Sequence, residues 1–160
     1  MDITVRRAEP KDYLLIGRLL GEILELHRSG RPDIFEEAEG VAGKYSQEQF
    51  EKLLKDDKSV IFTAECENKA VGYLICKIII ERENPVLKNI KTLYLDDLCV
   101  DKSARHCGVG KELMKAAEEY ARENGFYNIT LNVWEFNENA REFYQCLGYK
   151  TQRREMELVL

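Results

Sequence analysis

Arg105-His106-Cys107-Gly108-Val109-Gly110 stands between the apolar run Leu93-Tyr94-Leu95-Asp96-Asp97-Leu98-Cys99-Val100 and an amphipathic stretch from Lys111 to Glu123. A basic residue and two glycines at a strand-to-helix junction let backbone N–H groups wrap a phosphate. Glycine lacks a Cβ, so the chain can approach an anion closely. A helix N-terminus adds unpaired donors and a partial positive charge. The stretch therefore reads as the docking place of a phosphate-bearing ligand. A dinucleotide fingerprint would need a third small residue where Leu113 stands. A P-loop would need a hydroxyl where Glu112 follows Gly110-Lys111.

Outward from this junction the pattern alternates between strand and helix. Upstream, Thr92 to Val100 reads as a strand. Ser59–Glu65 and Ala70–Ile80 read as two more, joined by a tight turn at Glu67-Asn68-Lys69. Ile3–Arg7 is a short first strand. Pro10 then precedes a helical pattern from Lys11 to His27, with Ile16, Leu20, Ile23 and His27 on one face. Ser46 opens a second helix whose apolar side is Phe50, Leu53 and Leu54. Arg28–Gly43 and Glu81–Asn89 break the periodicity and read as loops, the first a lid. Downstream, Gly110–Asn124 is a helix with Val109, Leu113, Ala117 and Tyr120 inward, stopped at Asn124-Gly125. Asn128–Trp134 reads as a strand. Asn137 caps a final helix with Ala140, Phe143, Tyr144 and Leu147 inward. Met156, Leu158 and Leu160 alternate in a last strand or hairpin between Tyr149 and Leu160. The order β-α-α-β-β-β-α-β-α-β describes one α/β (α+β) domain over residues 1–160, a mixed sheet covered by helices.

The chain has 160 residues and a net charge of −5. That balance disfavours nucleic acid and suits a cationic substrate. No apolar stretch is long enough to span a membrane. The first residues lack the apolar segment of a signal peptide, so a cytoplasmic protein is expected. Five scattered cysteines argue against a disulfide framework, and two histidines without zinc-like spacing argue against a metal.

Two motifs carry a resemblance to the GNAT superfamily of acyl-CoA-dependent N-acyltransferases. Arg105-x-x-Gly108-x-Gly110 satisfies the family's phosphate motif and follows Leu98-Cys99-Val100-Asp101. Asn137, Ala140, Phe143, Tyr144, Gly148 and Tyr149 match a second motif downstream. The resemblance implies a mostly antiparallel sheet of six to seven strands with about four helices. It implies acetyl-CoA as co-substrate and no metal. The diphosphate would lie against His106, Cys107, Gly108, Val109, Gly110 and Lys111, with Arg105 adding charge. The pantetheine arm would run beside Leu98, Cys99 and Val100, with Asn137, Ala140 and Tyr144 across the cleft.

The implied reaction is direct acetyl transfer to a primary amine, either a small cation of polyamine or aminoglycoside type or a peptide amine. An amine of pKa near ~10 is protonated at neutral pH and must lose a proton before it attacks. Asp96 and Asp97 are the carboxylates at hand. Strand residues alternate faces, so only one serves unless a bulge intervenes. Tyr144 matches the family tyrosine that protonates the departing thiolate. His27, Arg31, Phe35 and Glu135 are the candidates for holding the acceptor. A homodimer is a further expectation by analogy. The competing readings are an acyl-CoA-sensing module without catalysis and a purely structural interaction protein.

Overall fold

The computed structural model describes residues 2–36, 44–80, 85–86 and 88–160. The lid expected over Arg28–Gly43 and the loop Glu81–Asn89 lie partly outside them. Five strands form one sheet in the order β1 (Ile3–Arg7), β2 (Ser59–Cys66), β3 (Lys69–Ile80), β4 (Lys91–Val100) and β5 (Asn128–Leu131). The first three pairings are antiparallel, and β4 with β5 is parallel. The tight turn before β3 places Glu67 and Asn68 at positive φ, as a two-residue hairpin requires.

Helices cover both faces. α3 (Val109–Glu123) lays Val109, Leu113, Met114, Ala117 and Ala121 on Val60, Phe62, Ala64, Leu74, Cys76, Leu93 and Leu95. On the other face, α1 (Tyr13–Gly30) contributes Ile16, Leu19 and Leu20, and α2 (Gln47–Lys55) contributes Phe50. These pack on Ile61, Tyr73, Ile75 and Cys99. Burial on both faces explains why β2 and β3 read as continuous apolar runs rather than alternating ones. Ser46 caps α2 by accepting from Gln49 N–H, and Gln49 returns the bond to the Ser46 N–H. α4 (Glu138–Cys146) is capped by Asn137 and packs Phe143 and Tyr144 against the α3 side.

One expectation is corrected: the sheet has five strands among the described residues, not six or seven. Thr151–Leu160 has no strand pairing and is exposed throughout. The alternation of Met156, Leu158 and Leu160 is real, but a strand exists only where its N–H and C=O groups find a neighbouring edge. The tail is tied instead through Glu157, which pairs with Arg31 at 2.6 Å. β5 is also shorter than its pattern, ending at Leu131 rather than Trp134.

Two features of β4 set up a cleft. β5 pairs only with Thr92–Leu95 and ends at Leu131, so the two strands part beyond Leu95 and β4 has no strand neighbour on that side from Asp96 to Val100, where the Val100 carbonyl instead accepts from Arg105. Within β4, Ile75 of β3 faces Asp97 while Cys76 faces Leu95. Asp96 is therefore the extra residue of a β-bulge.

Candidate active site

The bulge answers the question of which aspartate faces inward. Without it, Asp96 and Asp97 would point to opposite faces. With it, both carboxylates reach one ammonium: Lys44 Nζ lies 3.2 Å from Asp96 and 2.7 Å from Asp97. Lys77 Nζ takes a further Asp96 contact at 2.9 Å. Both side chains are largely buried, 14 % and 11 % exposed. Burial opposes ionisation of Asp96, but the bonds and charges of Lys77 and Lys44 outweigh it and hold the carboxyl below the usual range. Among the described residues Asp97 pairs with Lys44 but not with Lys77, and there burial, helped by the Asp96 charge, wins, so its carboxyl is raised. Lys44 would be lowered by its own burial. The hydrogen bond it donates to Asp97 and the two carboxylate charges reverse that and hold it firmly protonated.

Aromatic groups stand beside this cluster. His27, Phe35 and Trp134 form a triangle with ring centroids 5.3–6.4 Å apart, and Phe136 stacks on Trp134 at 6.0 Å. Arg31 lies over the Trp134 ring and is held by Asp33 and Glu157. Burial keeps His27 below its ordinary pKa, with Asp97 pulling it the other way. Thus His27, Arg31 and Phe35 share a wall with Trp134. Glu135 does not join it: its carboxylate is 90 % exposed and pairs with Arg141.

Tyr144, on α4, contacts the rings of Phe143 and Tyr149. Burial and then the charge of Asp97 push its phenol up to about 12. The hydroxyl therefore keeps its proton at neutral pH. Cys99, chiefly through burial, is pushed up to about 11. A thiol in that state is not a nucleophile at neutral pH.

At the far end of β4 the chain builds a cradle. Asp101 caps a short turn at Lys102–Ala104, and the following loop turns sharply. His106 has φ 62° and Gly108 has φ 90°. Left-handed residues this close together turn successive N–H groups to one side, as anion-binding nests do. Gly108 is the N-cap of α3 and supplies no side-chain bond, unlike Ser46 and Asn137 at their helices. The first N–H groups of α3 are thus left for an anion. A Cβ on Gly110 would meet the Phe143 ring at 3.2 Å, so that glycine keeps α3 close to α4. Asn137 commits its carbonyl oxygen to Ala140 N–H, leaving its amide hydrogens to offer a ligand. Arg105 folds back: its Nε donates to the Val100 carbonyl at 3.1 Å, and its Nη2 lies 3.6 Å from Glu22. These residues fit a diphosphate thioester: an uncapped helix start for the phosphates and an open strand edge for its arm.

The sequence matches the Acetyltransferase (GNAT) family over residues 21–149. The chain belongs to that family. This places it among acetyl-CoA-dependent acyltransferases. It is 30 % identical over 152 residues to the N-acetyltransferase YhfO of Bacillus subtilis, covering 92 % of this chain and 90 % of that one. It is 32 % identical over 107 residues to an N-acetyltransferase from the pepI 3′ region of Lactobacillus delbrueckii, covering 61 % of each. The chain thus spans less than two thirds of that second relative. The crystal structure of a tetramutant of the Bacillus halodurans BH1408 protein superposes with a TM-score of 0.91 at 30 % identity, covering 98 % of this chain and 99 % of that one.

Three members of the cluster escape the sequence reading: Lys44, Lys77 and Tyr73. Lys44 sits just after the irregular stretch and nothing local marks it. Tyr73 joins only through strand register, opposite Cys99.

Gly108→Ala tests the cradle. A side chain at φ near +90° costs about 1–2 kcal/mol. Because φ is +90° in the fold itself, the melting temperature falls by about 2–8 °C, and where the variant relieves the strain by turning the loop, acetyl-CoA affinity falls by about 5–30-fold by calorimetry.

Proposed function

We propose that this protein transfers the acetyl group of acetyl-CoA directly to a primary amine carried by a cationic acceptor. The observation that carries the reading is the acid pair at the bulge, which already grips a primary ammonium at 2.7 and 3.2 Å. A pair that holds one ammonium is chemically suited to another. The aromatic wall of His27, Phe35 and Trp134 adds faces that favour cations.

In this reading the thioester supplies the activated acetyl group, and the chain's residues manage position and protons. The N–H groups of His106 to Lys111 hold the diphosphate. The open edge of β4 from Leu98 to Val100 pairs with the arm, as an added strand would. A backbone N–H there stabilises charge developing on the carbonyl oxygen. Asp97 accepts the acceptor's proton, because its carboxyl is the raised one and lacks the second lysine that Asp96 has. Asp96 keeps its negative charge and orients the ammonium. Tyr144, protonated when the reaction begins, donates toward the departing sulfur.

The test is acetyl-CoA calorimetry followed by free-thiol release across polyamines, aminoglycosides and peptides. Saturable heat and thiol release that is strongest with polycationic amines are expected. Heat without thiol release from any amine would leave an acyl-CoA-binding module instead. No heat at all would remove the donor.

A further inference from the structure

Lys44 has the same chemistry as the proposed acceptor, and it occupies the same carboxylates. Its backbone lies two residues before the N-cap of α2, where the Ser46–Gln49 capping box fixes the chain. Its ammonium lies 5.5 Å from the centre of the Tyr45 ring and bridges Asp96 and Asp97. A second observation points into this spot. The Tyr73 hydroxyl is fully buried and has no hydrogen-bond partner among the described residues. Asp97, Cys99, Tyr45 and Asp96 are the groups whose charges bear on that phenol. An orphaned polar atom beside a carboxylate pair marks a place shaped for a polar guest.

We infer that Lys44 is itself an acyl acceptor, so that without a free amine the chain acetylates its own Lys44 Nζ. The inference rests on the acetyl-transfer reading of the site. The step balances as any amine acetylation does. Nζ loses one proton to Asp97, and from there to solvent. Its lone pair forms the bond to the acetyl carbon as the carbon–sulfur bond breaks. The thiolate takes a proton from Tyr144 and leaves as free thiol, and the second nitrogen proton, lost as the amide forms, restores the Tyr144 hydroxyl through solvent, so that one proton is released overall. The ion pair with Asp97 keeps Nζ protonated, so the reaction is slow, and the amide formed is no longer basic, so Lys44 takes one acetyl. The product has no charge on Lys44. Asp97 then lacks its cation, and the acid pair is vacated for an incoming amine.

Exposure makes the test selective. Adventitious acetylation by a thioester favours openly exposed lysines. Lys52 and Lys102 are 74 % and 75 % exposed, against 37 % for Lys44. The whole protein is incubated with acetyl-CoA and no acceptor, and thiol release, intact mass and peptide mass spectra are followed. One added acetyl of about 42 Da is expected per chain, on Lys44. Lys44 should carry label at least about tenfold above Lys52 and Lys102, although both are more exposed, because positioning in the site favours it. Lys44→Arg should abolish the label while acetyl-CoA still binds by calorimetry, and Tyr144→Phe should slow it. Label on exposed lysines in preference to Lys44, label on Lys77 instead, or a rate unchanged in Tyr144→Phe would overturn the inference. An unlabelled Lys44 in protein that acetylates an added polyamine would overturn it while leaving the proposed function standing. Absence of both acetyl-CoA heat and thiol release would remove the two together.

Discussion

Tyr144→Phe is expected to lower kcat by about 10²–10⁴-fold, the contribution of a positioned proton donor, with little change in acetyl-CoA affinity. The reason lies in what the substitution keeps. The ring packs between Phe143 and Tyr149 and against the α3 side of the core, and phenylalanine preserves those contacts. Only the hydroxyl goes. Burial and Asp97 hold that hydroxyl protonated with a pKa pushed up to about 12, so it is present as a donor at every working pH. An interaction made only as sulfur departs lowers kcat and kcat/KM together. Steady-state kinetics with any accepted amine, alongside calorimetry, separates this from a packing defect. Equal kcat in the variant would remove Tyr144 from the proton path.

The largest effect on stability is expected at Asp12, far from the chemistry. Its carboxylate is 3 % exposed and takes two bonds from the Arg6 guanidinium, at 2.7 and 2.9 Å. It also accepts from Glu9 N–H at 2.8 Å and from the buried Thr63 hydroxyl at 3.2 Å. Arg6 in turn binds Glu65. The network ties β1, β2 and the start of α1 together. Asp12→Ala leaves a partly buried guanidinium and a buried hydroxyl short of partners. Breaking such a pair costs about 3–5 kcal/mol. For a chain of this size that lowers the melting temperature by roughly 10 °C or more.

The same network gives stability a pH dependence. Burial works against the Asp12 carboxylate, but Arg6, the Glu9 N–H and Thr63 outweigh it and hold the pKa below the ordinary value. The folded form therefore binds that proton more weakly than the unfolded chain does. The stabilisation is fully present above about pH 4, the unfolded value, and is lost as pH falls through the lower folded one. Denaturation midpoints measured between pH 7 and pH 3 should fall for the native chain, and the fall should be smaller in Asp12→Ala.

Local patterns encode some of these features in the sequence and leave others to pairing. Helix starts were legible because Ser46 and Asn137 announce themselves by residue type. The sharp turn before α3 was legible because two glycines beside an amphipathic run mark a strand-to-helix junction. The strands β2 to β4 were legible as apolar runs between turn residues. The final strand was misread because alternation sets which side chains share a face but supplies no partner edge. The acid pair was visible, yet its geometry was not. A one-residue bulge is a property of pairing between β3 and β4, and Asp96 looks no different from any strand residue. Lys77 and Tyr73 are set by the same register, both being on β3, and Lys44 comes to the pair from the segment before α2. Arg105 matched its motif, but where its guanidinium turns is set by the Val100 carbonyl and Glu22.

The parting of β4 from β5 beyond Leu95 bears on how such a protein can change over time. A donor gripped by peptide groups along an unpaired edge is recognised by atoms every residue possesses. Side chains there can drift without loosening that grip. In the proposed reaction the acceptor, by contrast, meets side chains: a bulged carboxylate pair and a few rings on other elements. On that proposal, substitutions that retune the choice of acceptor leave the thioester half of the reaction intact.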